Sequence, residues 1–335
     1  MGIEMIGYER YEVERKVIAI LKILSESREP LGAKVIAQQL KDYGVDLRER
    51  AVRYHLKITD ERGLTRLIGR DGRLITEPGI EELKSALVGD KVGFVISKIE
   101  LLAFQTSFDR KTRKGHVPVN VSLFPKEQFD KARRAMSAAF KAGICVSDSV
   151  VVAREGERLA GVTVPEGKIG FATVCSIIIN GALLKAGIPM DSKFGGLLQI
   201  RNEKPLRFVE LIEYAGSSLD PSEVFITGRM TSVGEAARKG EGKVLANFRQ
   251  IPALCRPVAE KVISALREAG LGGLLVMGDT SQSVCEIPVE LNKVGIILLG
   301  GLNPVAAAVE VGIDVENRAM SGVVDYRDLV SFWQL

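Results

Sequence analysis

Residues 47–76 read LRERAVRYHLKITDERGLTRLIGRDGRLIT, and the order of charge, apolar residues and glycine within them decides how the amino-terminal part of the chain folds. Asp46 with Glu49 predicts a capping box at a helix start, and Gly63 predicts a left-handed helix end, so a helix is expected from about Leu47 to Arg62. Helical geometry puts Val52, Leu56 and Thr59 on one side of it and Arg50, Arg53, Tyr54 and Lys57 on the other. Two short runs, TRLI and RLIT, flank Gly69 to Gly72, where Asp71 and Gly72 predict a two-residue hairpin turn. Upstream, Val17, Ile20, Leu21 and Leu24 recur at helical spacing. Pro30 to Gly32 separates them from a second helix, AKVIAQQLKDYG, ended by Gly44. Helix, helix, basic helix, basic hairpin is the order of a winged helix-turn-helix.

The window Leu47 to Arg73 carries eight basic residues against four acidic ones, a surplus equal to the net charge of +4 of all 335 residues. Taken alone, such a run is as readily a solvated helix face. Its sorting onto one face, beside a basic hairpin, points to double-stranded DNA: a helix fits the major groove, arginine reads guanine edges, and wing cations neutralise phosphates. The expected contacts are Arg48, Arg50, Arg53, Tyr54, Lys57, Arg66, Arg70 and Arg73, with Arg50 and Arg53 on bases and Lys57, Arg70 and Arg73 on phosphates. His55 falls near the buried side, as a packed core histidine.

The chain is long enough for two or three domains, and 46% hydrophobic content excludes a disordered protein. The opening residues MGIEMIGYERYEVERK lack the apolar segment of a signal peptide, so a cytoplasmic location is expected. The apolar stretch VGIILLGGLNPVAAAVEVGI, 294–313, is broken by Gly300, Gly301, Asn303, Pro304 and Glu310 and predicts a buried strand followed by a helix, not a membrane span. Four scattered cysteines and two histidines make a zinc site improbable and predict reduced thiols. No dense aspartate motif, phosphate loop or GxSxG is present, so neither an enzyme nor a cofactor is expected.

A helical link, TEPGIEELKSALVGD (76–90), precedes a region richer in glycine and strand-like runs, with the boundary near residue 88: a winged helix-turn-helix at 1–88 and a second domain at 89–335. In the second, KVGF (91–94), KIGF (168–171) and KVGI (293–296) each predict a strand start. The helices before the last two end alike, AFKAGICV and ALREAGLG, which suggests an internal duplication. Alternation of VNVSLF, SVVVA and GLLQI with helices such as KEQFDKARRAMSAAFKAG predicts an α+β chain whose second domain layers helices over sheet.

Several phrases in this region carry a family resemblance: TVCSIIINGALLKAGIP (173–189), KFGGLLQI (193–200), IEYAGSSLDPSEVF (212–225), GRMTSVGEAARKGEGKVLANFRQIP (228–252) and LLGGLNP (298–304). They resemble the effector domain of NrpR, the archaeal nitrogen-regulatory repressor family, which also has a winged helix in front. The resemblance implies a repressor of nitrogen-fixation and nitrogen-assimilation genes that binds an inverted-repeat operator as a homodimer and is released by 2-oxoglutarate. The longest members of the family have two effector domains where this chain has one, so a separate effector-only chain of the same type is a possible partner. A keto dicarboxylate calls for amides at glycine-rich turns, hydroxyls and a cation. The candidates are Cys175, Ser176, Thr231, Ser232, Asn247, Arg249 and Asn303. Two alternative readings are an RNA-binding or RNA-processing protein that uses the winged helix, and a metabolic enzyme with an appended regulatory module.

Overall fold

The computed structural model describes residues 2–27, 29–86 and 93–335. Two compact units make up the chain, one running to Leu101 and including Ala215–Ser218, the other comprising Leu102–Tyr214 and Leu219–Leu335. The boundary expected near residue 88 lies outside the described residues. No helix among the described residues is long and apolar enough to cross a membrane.

The first unit runs α1 (Gly2–Ser25), α2 (Ala33–Leu40), α3 (Glu49–Glu61), β1 (Thr65–Ile68), β2 (Gly72–Ile75) and α4 (Glu77–Ser85), the winged-helix order. Val17, Ile20, Leu21 and Leu24 of α1 are fully buried against Ile36, Leu40, Val52 and Leu56, so the apolar stripes read in the sequence meet in one core. A 3-10 turn, Lys41–Tyr43, ends α2 at the left-handed Gly44, and Gly63, with φ of 70°, ends the recognition-type helix α3.

Two details differ from the sequence reading. No capping box opens α3: Arg48 is the N-cap with no side-chain cap bond and Ala51 falls at N3, so the Glu49 carboxylate pairs along the helix with Arg53, 2.5 Å from Nη2. The wing turn is the three-residue Gly69–Asp71, between the paired Ile68 and Gly72, and its positive φ values fall at Gly69 and Gly72, not at Asp71. The cause lies across the wing, where Leu31 and Arg73 exchange two backbone hydrogen bonds of 3.0 Å. A Cβ on Gly72 would stand 2.3 Å from the Leu31 carbonyl carbon, so glycine is required there.

His55 is buried as expected, and its Nδ1 has no partner. Burial, reinforced by Lys16, lowers its pKa below the ordinary 6.5. The unfolded chain therefore binds the proton first, and the stability of this unit should fall as pH drops below the unfolded value. Hydrogen exchange of α3 amides should accelerate below that pH in the native protein, and the acceleration should flatten in His55→Leu. An unchanged pH profile in the variant would exclude His55 as its source.

The helix α5 (Phe94–Gln105) carries the chain across the division between the units. Of KVGF only Gly93 and Phe94 are described, and Phe94 opens this helix, so no strand begins at Phe94. In the second unit come β3 (His116–Pro125), α6 (Phe129–Lys141), β4 (Ser149–Ala153), the small hairpin β5 (Arg158–Leu159) and β6 (Val162–Thr163), β7 (Lys168–Val174), α7 (Ile177–Lys185), β8 (Asp191–Arg201) and β9 (Lys204–Glu213). Then follow α8 (Pro221–Thr227), α9 (Val233–Lys239), β10 (Gly242–Pro252), α10 (Arg256–Glu268), β11 (Leu274–Thr280), β12 (Lys293–Leu299), α11 (Asn303–Glu310), β13 (Glu316–Asp325) and β14 (Val330–Ser331).

These strands form two five-stranded antiparallel sheets, in the orders β13-β3-β7-β4-β14 and β11-β12-β10-β8-β9. The duplication is visible in them. The series β3-α6-β4-β7-α7-β8 recurs as β10-α10-β11-β12-α11-β13, and the registers correspond, since Pro125 pairs with Lys168 as Pro252 pairs with Lys293. KIGF and KVGI open β7 and β12 at matching places. The last strand of each repeat leaves its own sheet and completes the other: β8 joins β10, and β13 joins β3. Helices cross over too, with α6 against α11 and α7 against α10. A core of Val174, Ile178, Ile179, Ile251, Ile263 and Ile296 draws on both repeats.

Candidate functional site

On α3 the burial follows the two faces read from the sequence. Val52, Leu56 and Thr59 are buried completely, whereas Arg50, Arg53, Tyr54 and Lys57 are exposed. Arg53 and Lys57 have acid partners one turn away, Glu49 and Glu61, in exposed pairs of little energetic weight. Among the described residues, Arg48, Arg50, Arg66 and Arg70 form no ion pair and are exposed, so their charges are available to a polyanion. Arg73 is different. Its Nε donates to Asp60 Oδ2 at 2.8 Å, Asp60 also accepts from Thr65 Oγ1 at 2.6 Å, and Thr65 meets Thr59 at 2.7 Å. That chain of hydrogen bonds fastens the wing to α3 and gives Arg73 a positioning task.

In the second unit the polar candidates separate into three places. The first lies where β7 ends and α7 begins. Cys175 and Ser176 occupy that turn, both buried, with Ser176 as N-cap; the apolar Ile177–Ile179 that follows sinks the turn into the core. Asn247 reaches it from β10, with Nδ2 donating to Ser176 Oγ at 3.2 Å, while the buried Tyr214 hydroxyl donates to Asn247 Oδ1. Arg249, two residues along the same face of β10, is 1% exposed. Its Nη1 donates to Ser192 Oγ of β8 at 2.7 Å, and Asn180 Nδ2 of α7 donates to the same hydroxyl at 3.2 Å.

This cluster is polar, buried and incomplete. Among the described residues no carboxylate pairs with Arg249, its Nε has no acceptor, and Asn180 Oδ1 has no donor. Burial lowers the Arg249 pKa, and burial pushes the Cys175 thiol up to about 11, with the guanidinium pulling the other way. Burial also raises the Tyr214 pKa, so both groups stay neutral near pH 7 and supply no counter-charge. A buried cation in a ring of neutral hydrogen-bonding groups can accept a small anion.

Thr231 and Ser232 lie elsewhere, beside a cleft of about 330 Å³ lined also by Arg229, Arg238 and Glu310. Glu310 takes the Thr231 hydroxyl at 2.7 Å and the amides of Val233 and Gly234 at 2.7 and 2.8 Å, so α9 already has an anion at its start. Asn303 forms the third place, where Oδ1 accepts from Leu245 N at 2.8 Å and Nδ2 donates to Leu245 O at 2.9 Å, clamping α11 to β10. Both ends of that amide are used. Asn303→Leu strands the buried Leu245 N–H, while the Leu245 carbonyl keeps the Gly300 amide at 2.8 Å, and should cost about 1 to 3 kcal/mol in urea unfolding. A loss under about 1 kcal/mol would show that the clamp is dispensable.

Tyr214, Asn180 and Ser192 escaped the sequence reading. The signal for Asn180 was present, an amide in the middle of the apolar run SIIINGALL. For Ser192 the signal was the repeat itself: its counterpart Asn317 accepts from Ser122 Oγ at 2.7 Å, as Ser192 accepts from Arg249. The repeat thus holds Arg249 at one position and the neutral Ser122 at the equivalent one.

Comparison with known proteins follows the same division. Residues 92–331 match the model of NrpR regulatory domains NRD1 and 2, and residues 18–83 match that of the Ribonuclease R winged-helix domain. The global nitrogen regulator NrpRI of Methanosarcina mazei is 43% identical over 95% of this chain and 98% of its own length. The global nitrogen regulators NrpR of Methanococcus maripaludis and Methanocaldococcus jannaschii are 34% and 33% identical over 92% and 95% of this chain. The chain spans only 54% and 55% of those two proteins. The crystal structure of a nitrogen repressor-like protein from Methanococcus jannaschii superposes with a TM-score of 0.60 at 29% identity, covering 71% of this chain and 98% of that one.

Proposed function

The chain belongs to the NrpR family of nitrogen regulators, and from that premise we propose that it is a DNA-binding repressor of nitrogen-assimilation and nitrogen-fixation genes, released from its operator by 2-oxoglutarate. One observation carries the effector half of this reading: the fully buried Arg249, with no carboxylate partner among the described residues and no acceptor on its Nε. A carboxylate of a small dicarboxylate supplies the missing charge to Arg249. The hydroxyls of Ser176 and Ser192 and the Nδ2 of Asn180 offer neutral donors to a keto dicarboxylate, whose oxygens only accept.

The exposed basic face of α3 and the wing support the DNA half. Two such modules must lie about one helical turn apart to read an inverted repeat, so a homodimer is the working form. Release then follows from linkage: 2-oxoglutarate weakens DNA binding only by favouring an arrangement of the dimer that fits DNA poorly. That the chain spans about half the length of two of its relatives makes an effector-only partner chain a further component for testing.

The test is fluorescence anisotropy on an inverted-repeat duplex selected from random DNA, with and without 2-oxoglutarate and succinate. Sequence-specific binding should weaken about 5- to 150-fold with 2-oxoglutarate, and much less with succinate. Specific binding indifferent to both acids would reject the effector. The match of residues 18–83 to a ribonuclease winged-helix model favours RNA as a second reading. Duplex RNA bound more tightly than any DNA in the same assay would support it instead.

A further inference from the structure

We propose that β9 is the surface through which two copies of this chain associate, each β9 packing its outward side chains against the β9 of the other in antiparallel orientation. The proposal rests on the dimer reading above and assigns it a place. β9 is an edge strand, paired only with β8, and none of its ten residues is buried. Every other strand of four residues or more in the second unit's sheets keeps at least intermediate burial over most of its length.

The exposed side chains of β9 include Leu206, Val209 and Leu211, at 39%, 38% and 47%. Single exposed apolar residues call for no explanation, but three on one edge strand form a patch that solvent disfavours. The strand shifts register against β8 at two places, leaving Leu206 and Val209 without partners there. Such bulges discourage a regular ladder with a neighbouring strand, so the contact proposed is between side chains.

Charge selects a second copy as the occupant. The strand reads KPLRFVELIE, with Lys204 and Arg207 in its first half and Glu210 and Glu213 in its second. Among the described residues none of these four forms an ion pair within the chain. Laid antiparallel on itself about a two-fold axis between them, the strand sets Arg207 opposite Glu210, which share one face of the sheet because they pair with Gln199 and Leu197 of β8. That pair occurs twice about the axis, the self-complementarity that an isologous interface needs.

Sedimentation equilibrium of the full chain tests this without DNA or effector. The native protein should dimerise. Arg207→Glu or Glu210→Arg alone should each raise the dimer dissociation constant about tenfold or more, since each sets like charges opposite one another twice. The double variant R207E/E210R should return to within about threefold of the native value, as restored pairing demands. Circular dichroism should show all variants folded, because the substituted side chains are exposed. Native dimers indifferent to the single reversals, or a double variant no tighter than either single one, would overturn the assignment while leaving the dimer in place elsewhere. A native monomer would overturn both, by removing the dimer itself.

Discussion

Arg249→Met should abolish the response to 2-oxoglutarate and leave the ligand-free protein at least as stable as the native one. The two halves of this expectation have one cause. In the absence of ligand the guanidinium is buried with one hydroxyl on Nη1 and an orphaned Nε, so its desolvation is poorly offset. Replacing a poorly compensated buried charge by an apolar side chain of similar length is neutral or stabilising by about 1 to 4 kcal/mol. For the ligand the balance reverses, because a carboxylate enclosed with no cation has nothing to replace its water. Loss of the buried charge partner should cost about 2 to 5 kcal/mol in affinity, roughly thirty-fold or more. Calorimetry with 2-oxoglutarate and urea unfolding measure the two effects separately. A variant that binds 2-oxoglutarate normally removes Arg249 from the effector site. A variant that unfolds makes Arg249 a structural residue held by Ser192. DNA affinity without effector should be unchanged, which makes the variant a repressor that cannot be relieved.

The basic face of the winged helix should respond to substitution in three distinct ways. Arg50→Ala should cost about 1 to 3 kcal/mol on operator DNA and little on random DNA, the pattern of a base contact. Arg70→Ala should weaken all DNA about equally and lower the slope of log affinity against log salt by about one. Arg73→Ala should act through the fold. Removing its 2.8 Å contact leaves Asp60 and the threonine pair without their cation and loosens the wing, so faster amide exchange in β1 and β2 should accompany any loss of DNA affinity. An Arg73 variant with a normally protected wing and a reduced salt slope would return that residue to the phosphates. Binding unaffected by any of the three substitutions would make this unit a protein-contact module.

The sequence and the structure agree where periodicity meets a single buried face. The apolar stripe Val17, Ile20, Leu21 and Leu24 and the two-sided α3 were legible because local spacing alone dictates which side is dry. The α3 cap and the wing turn were not. Glu49 had two uses, a cap or a partner for Arg53, and the need for glycine at position 72 arises from Leu31, forty-one residues away in sequence but adjacent in space. The buried cluster round Arg249 shows the same limit. Cys175, Ser176, Asn247 and Arg249 could be picked out by chemical type, but Thr231 shares that type and donates to Glu310, Ser232 accepts from the Lys243 amide, and Asn303 serves Leu245. Only the register of β10 on β8 and the turn into α7 decide which of these groups gather round Arg249, and register is a long-range property.

The exchanged strands also set the timetable of folding. β3 enters its sheet beside β13, and Ser122 reaches Asn317 across 195 residues of chain, so the first sheet waits at its edge until the second repeat has been synthesised. Meanwhile β8 is ready before β10, its other neighbour, exists. A nascent chain halted between the repeats presents open edges at β3, β4 and β8 at once, the condition in which edges find wrong partners. Once both repeats are present each closes the other, and neither sheet can open without loosening a strand that belongs to its twin. Refolding should accordingly be slow and single-stepped, governed by distant pairings that form late and together.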